Sequence, residues 1–79
     1  MAREAVYMPK YGMTMTEGVI VEWHVQEGDH VNAGDPLLTV ETEKVDTDIE
    51  APVSGTLVEV RYAVNAEVPV GEIIAYIEH

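Results

Sequence analysis

The second half of this chain repeats the first. Displaced by 37 positions, the segment from Gly18 lies on the segment from Gly55 without a gap, and Val21, Glu22, Val31, Gly34 and Glu41 fall on Val58, Glu59, Val68, Gly71 and Glu78. Leu37 meets Ile74, Val40 meets Ile77 and Asp35 meets Glu72, so character persists where identity does not. Gly28 falls on Asn65. These two residue types enter the left-handed backbone region most easily, so one turn is demanded twice. A chain bound by this symmetry must build two similar halves, expected near residues 5–41 and 46–78 of a single domain spanning 1–79.

The local pattern says what the halves contain. Turn signals recur at Pro9, Gly12, Gly18, Gly28-Asp29, Gly34-Asp35-Pro36, Ala51-Pro52, Ser54-Gly55, Asn65 and Gly71, with short β-branched runs between them. That rhythm predicts an all-β fold, a sandwich or barrel. Strands are expected near 4–8, 19–26, 30–32, 37–41, 46–50, 56–62, 67–69 and 73–78. Two halves of like strand order suggest two antiparallel sheets packed face to face about a quasi-two-fold axis.

Lys44 falls in the connection between the halves. The run Glu41-Thr-Glu-Lys-Val-Asp46 holds no Gly or Asn, so an ordinary type I turn is expected. After it Val45, Thr47 and Ile49 alternate with Asp46, Asp48 and Glu50, which predicts an apolar face turned inward and an acidic face in water. Trp23 is expected to fill the core or cover one end of it.

Composition narrows the function. Fifteen Asp and Glu stand against four Lys and Arg, a formal net charge of −11. Such a surface repels phosphate backbones and anionic lipid heads, so neither nucleic acid nor membrane is an expected partner, and a basic protein face is. No Cys is present, which rules out disulfides and thiolate metal sites. His24, His30 and His79 lack the spacing of a zinc site, and Asp46, Asp48 and Glu50 diverge along one strand, so no metal is expected. No Ser/His/Asp order suggests a triad either, and a catalytic domain is the weakest reading. No signal-peptide pattern opens the chain, so the expected compartment is the cytoplasm, or the mitochondrial matrix in a eukaryote. Lys10 and Lys44 are the only lysines. Lys10 lacks any motif and reads as a solvated charge.

Five segments then carry a family resemblance. Met8-Pro-Lys-Tyr-Gly-Met-Thr-Met-Thr-Glu-Gly18, Val21-Glu-Trp-His-Val-Gln-Glu-Gly-Asp29, Gly34-Asp-Pro-Leu-Leu38, Glu41-Thr-Glu-Lys-Val-Asp46 and Ala51-Pro-Val-Ser-Gly55 resemble, in order, the lipoyl domains of acyltransferases from 2-oxo acid and acetoin dehydrogenase complexes. The resemblance implies a flattened β-barrel of two four-stranded sheets, with Lys44 as the lipoylated residue at a hairpin tip and lipoic acid as the cofactor. It implies ligase or partner recognition at Glu41, Glu43 and Val45, at Gly28 and Gly55, and in the loop Met13, Thr14, Met15 and Thr16. The residue before the lysine is usually Asp in this family and is Glu43 here, which keeps the charge. The implied partners are a lipoate ligase or lipoyl transferase, a thiamine-dependent decarboxylase, an acyltransferase core and a dihydrolipoyl dehydrogenase. The implied role is a swinging arm for acyl groups and reducing equivalents, on a domain that need not itself catalyse. The four glycines Gly28, Gly34, Gly55 and Gly71 are expected mainly in turns that place the lysine.

Two other readings compete. Biotin carriers share the lysine-on-a-turn design but typically set Met on both sides of the lysine, where this chain has Glu43 and Val45. An unmodified β interaction domain would need none of the Glu41, Gly28 and Gly55 set. The glycine-cleavage carrier is longer and differs in pattern.

Overall fold

A computed structural model of the chain describes every residue except Met1, Tyr11, Gly12, Thr14, Glu43 and Lys44. Among the described residues eight strands follow one another: β1 (Arg3–Tyr7), β2 (Glu17–Trp23), β3 (His30–Val31), β4 (Pro36–Glu41), β5 (Asp46–Glu50), β6 (Gly55–Val58), β7 (Glu67–Pro69) and β8 (Ile73–Glu78). They form two four-stranded antiparallel sheets, ordered β1-β8-β6-β3 and β5-β4-β2-β7. The all-β expectation holds, and so does the pair of sheets.

The repeat read from sequence recurs bond by bond. The His24 N–H donates to Leu37 O at 2.9 Å, and 37 positions on the Arg61 N–H donates to Ile74 O at 2.8 Å. The Gly28 N–H donates to Leu57 O at 2.7 Å, and its counterpart Asn65 donates to Ile20 O at 2.7 Å. Both residues take positive φ, 99° and 76°, which is why a Gly and an Asn stand there. The register shift opposite Leu37 in the β4–β5 ladder reappears opposite Ile74 in the β1–β8 ladder. In this correspondence β5 matches β1, β4 matches β8, β2 matches β6, and β3 matches β7, which maps one sheet order onto the other.

The core lies between the sheets. Ile20, Leu37, Leu38, Val40, Leu57, Val68, Ile74 and Ile77 are completely buried, and Val6, Met8 and Val31 nearly so. Burying a side chain of this size stabilises the fold by about 1.5–3 kcal/mol, which lets a chain of 79 residues fold without disulfides. Trp23 packs half-buried on this cluster, and its indole N–H donates to Tyr62 O at 3.0 Å.

Several expectations need correction, and the strand expected over 19–26 already ends at Trp23. The strand expected over 56–62 ends at Val58, because Glu59 adopts φ 51° and turns the chain. Its carboxylate there meets Arg3 at 3.0 Å and Arg61 at 3.5 Å. Val45 was expected to face inward with Thr47 and Ile49, yet it precedes β5 and is 59% exposed, while Ile49 is buried.

Candidate functional site

The β4–β5 hairpin arises from a reversal that the pairing makes tight. Glu41 pairs with Asp46, the Thr42 N–H donates to Val45 O at 3.0 Å, and the Thr42 hydroxyl donates to the same oxygen at 2.9 Å. A backbone and a side-chain bond therefore close the base just outside the last ladder pair. Glu41 and Val45 are exposed there. Glu43, Lys44 and the expected type I turn lie outside the described residues.

Strand β2 enters its sheet beside this base, since Val19 pairs with Glu41 and Glu17 lies two residues further toward the hairpin end. Here the two-fold correspondence breaks in length. Nine residues join β1 to β2, whereas four join the matching strands β5 and β6. The additional chain thus sits at the hairpin end and holds the loop singled out from sequence. Met13 is 94% exposed. Met15 is buried instead, with its methyl 3.3 Å from where a Cβ on Gly18 would stand, so it packs into the core. Thr16 is exposed, and its carbonyl accepts the Val70 N–H at 3.0 Å. Thr14 lies outside the described residues.

Gly28 does the turn work expected of it, and Gly55 does not. Gly28 is a turn residue on the opposite sheet, bonded to Leu57 of β6. Gly55 is not in a turn: it opens β6, pairs with Val31, and has no positive φ. A Cβ on it would stand 2.3 Å from Glu78 O and 2.8 Å from Ile77 Cγ2. Close approach of β8 is what excludes a side chain. Both glycines therefore bear directly on β6.

Charge divides between the sheets. The strands of β5-β4-β2-β7 expose Glu17, Glu22, Glu41, Asp46, Asp48, Glu50 and Glu67 and carry no Lys or Arg. In the other sheet Tyr76 of β8 has the Arg3 and Arg61 guanidiniums 5.8 and 5.9 Å from its ring centroid, within cation–π range. Crowding on the acidic sheet leaves a mark at Glu17, whose carboxyl is raised above the usual carboxylate range by a hydrogen bond and charge repulsion from Glu67, with a little desolvation. On the same sheet a polar chain crosses three segments. The His24 Nε2–H donates to Thr39 Oγ1 at 2.7 Å, and that hydroxyl donates to Asp48 Oδ1 at 2.6 Å. Sequence reasoning did not find this chain, although Thr39 and Asp48 were both legible as outward positions on adjoining strands.

Comparison with known proteins agrees with this architecture. The sequence model of the biotin/lipoyl family, described as "Biotin-requiring enzyme", matches residues 4–77. The chain belongs to the biotin/lipoyl family. This biotin/lipoyl domain is 44% identical over 70 residues, 89% of its length, to the dihydrolipoyllysine-residue acetyltransferase component of the acetoin cleaving system of Pseudomonas putida. It is 47% identical over 72 residues, 91% of its length, to the corresponding component of the pyruvate dehydrogenase complex of Corynebacterium glutamicum. It spans only 19% and 11% of those two relatives. The solution structure of the lipoyl domain of the 2-oxoglutarate dehydrogenase complex from Azotobacter vinelandii superposes with a TM-score of 0.80 over 95% of each chain at 21% identity. The Kluyveromyces lactis urea carboxylase matches with a TM-score of 0.83 at 24% identity, over 99% of this chain and 6% of that one. These two likenesses speak to the fold. Among the described residues no helix is long and apolar enough to cross a membrane.

Proposed function

We propose that this biotin/lipoyl domain is an acyl carrier, a lipoyl domain of a dehydrogenase-complex acyltransferase component, with lipoic acid joined by an amide to Lys44. The single observation that carries the reading is the hairpin: the base from Glu41 to Asp46 is closed by three contacts, exposed at Glu41 and Val45, and flanked by a lengthened loop that its two-fold counterpart lacks. The likeness to acetyltransferase components in the acetoin and pyruvate systems favours lipoate over biotin.

A covalent arm needs no pocket, only an amine that a second enzyme can reach. The hairpin base is exposed at Glu41 and Val45, and the β4–β5 ladder stands directly behind it. A lysine amine in water has a pKa of about 10.4 and is protonated near neutrality, so the ligase must take that proton and supply an activated acid. When attached, the lipoyl group supplies a disulfide that carries acyl groups and electrons between active sites. The domain contributes position and charge. Its carboxylates favour encounter with basic rims on a thiamine-dependent decarboxylase, an acyltransferase core and a dihydrolipoyl dehydrogenase, acting on association rate more than on affinity. Tethering to a larger assembly would hold the arm near each site at roughly millimolar effective concentration.

Incubation with lipoate, ATP and a lipoate ligase tests this by intact mass and tryptic mapping. A lipoyl-sized gain with cleavage lost after Lys44 is expected, and Lys44→Arg should gain nothing. A gain on Lys10, or a biotin-sized gain with a biotin ligase, would refute it.

A further inference from the structure

Strand β5 follows the lysine hairpin and runs along the edge of its sheet, with β4 as its one neighbour among the described residues. An edge strand of five residues held on one side is the part of a sheet most prone to local opening. What reaches it from the solvent face is the chain His24–Thr39–Asp48. A threonine hydroxyl has one proton to give. Thr39 donates that proton to Asp48 at 2.6 Å, so the 2.7 Å contact with His24 is made by the ring's own Nε2–H. The imidazole Nδ1 then faces the Glu22 carboxylate at 3.9 Å. The chain thus begins at the end of β2, crosses β4 at Thr39 and finishes on the middle residue of β5. The Thr39–Asp48 pair lies two ladder positions behind Glu41–Asp46, where the hairpin begins.

We infer that Thr39 is a positioning residue for the modification of Lys44: its hydroxyl, receiving from His24 and donating to Asp48, fastens the edge strand that carries the lysine hairpin. The inference rests on the carrier reading above. The opposite sheet is crossed nearby by other means, with Ala5 in the place of Asp48 and the edge-strand contact made two residues away by Arg3. Under the two-fold correspondence His24 becomes Arg61 and Thr39 becomes Tyr76, and there Arg61 and Arg3 of edge strand β1 sit over one ring. A tie from the sheet interior to the edge strand is built twice, from unlike chemistry. On the lysine side it ends in a charged acceptor, where a hydrogen bond is strongest.

The test compares the chain with T39V, which keeps shape and loses the hydroxyl, and T39S, which restores it. Amide exchange over Asp46–Glu50 and steady-state lipoylation by a lipoate ligase are measured on all three. In T39V, exchange across β5 should quicken about fivefold, the scale of one modest hydrogen bond, while the β1–β8 ladder is unchanged. The KM for the domain should rise, with kcat unchanged, by the factor (1 + 5K)/(1 + K), where K is the parent's own open-to-closed ratio for β5 read from the same exchange data, because fewer molecules present the hairpin at any moment. T39S should recover both, and D48N, which keeps an acceptor oxygen, should stay within about twofold of the parent. A T39V with parental exchange, or one whose KM departs from that factor or whose kcat changes, overturns the inference, as does a T39S that behaves like T39V. A parent chain that takes no lipoyl group overturns the carrier reading instead, and is distinguished because the exchange difference is read without any ligase.

Discussion

Gly55→Ala is the smallest change with a large expected consequence. Replacing Gly by Ala in a strand normally helps by about 0.4–1 kcal/mol, because the unfolded chain loses freedom. Here the new methyl would stand 2.3 Å from the carbonyl oxygen of Glu78, about 1.1 Å short of an ordinary 3.4 Å contact, and 2.8 Å from Ile77 Cγ2. The oxygen is backbone and has no rotamer to retreat into, so β8 must move away from β6. That motion strains the Thr56–Glu78 pairing and the bonds between Ala2 and His79 just beyond it. Overpacking against fixed backbone costs about 3 kcal/mol, the upper end for such substitutions. A domain of 79 residues has roughly 4–12 kcal/mol to lose. Urea unfolding followed by the fluorescence of the single Trp23 measures the difference. With a slope of about 1 kcal/mol per M, the midpoint should fall by about 3 M. Gly18, the two-fold counterpart, is the control. Its added Cβ would meet Met8 Sδ at 3.0 Å and Cε at 3.2 Å, the far end of a flexible side chain that can shift, so Gly18→Ala should cost less than about 1 kcal/mol. Equal midpoints for the two variants, or a Gly55→Ala as stable as the parent, would refute the claim that strand approach is what demands glycine.

Three further outcomes follow from the same geometry. Asn65→Gly should leave the melting temperature unchanged or slightly raised, and Asn65→Ala should cost about 1 kcal/mol in chemical unfolding, since φ 76° penalises an ordinary side chain. The raised carboxyl of Glu17 favours the folded state below its unfolded pKa, and that contribution is lost as pH rises through the folded value. Glu67→Gln should remove this loss, so its melting temperature should gain on the parent as pH climbs from the acid range to neutrality. Lys44→Arg should unfold within about 0.5 kcal/mol of the parent, as surface substitutions do, while taking no lipoyl group. A large destabilisation would mean that the side chain is part of the packing.

The sequence carried the architecture because two copies of one pattern had to agree. The Gly28–Asn65 match announced a left-handed turn before any backbone was known, and the Leu37–Ile74 match, read only as shared apolar character, proves to sit at the same register shift in both halves. What escaped it depended on neighbours remote in the chain. Glu59 has no residue-level signature of positive φ, and Arg3, 56 positions away, helps to hold it there. Gly55 looked like a turn because Ser54 precedes it, whereas the reason for glycine lies on β8. Met15 shares its motif with exposed Met13, and only the packing beside Gly18 separates the two. At the candidate site, Glu41 and the acidic alternation of β5 were legible from period and charge. The His24–Thr39–Asp48 chain was not, since it joins three segments whose proximity is a product of the sheet order.

The two bonds between Ala2 and His79, at 2.7 and 2.8 Å, have a topological meaning. Under the two-fold correspondence these residues take the places of Val45 and Thr42, so the chain ends stand where a second hairpin would be. The backbone is in effect a ring opened at one of two equivalent reversals. Closing it with a Glu-Lys dipeptide from His79 to Met-less Ala2 would produce a circular domain with a lysine turn at each pole, and opening it at the original turn would yield a circular permutant of the same barrel. In a longer polypeptide, any tether joined at these ends leaves from the reversal that is the two-fold counterpart of the β4–β5 hairpin base, not from that base itself.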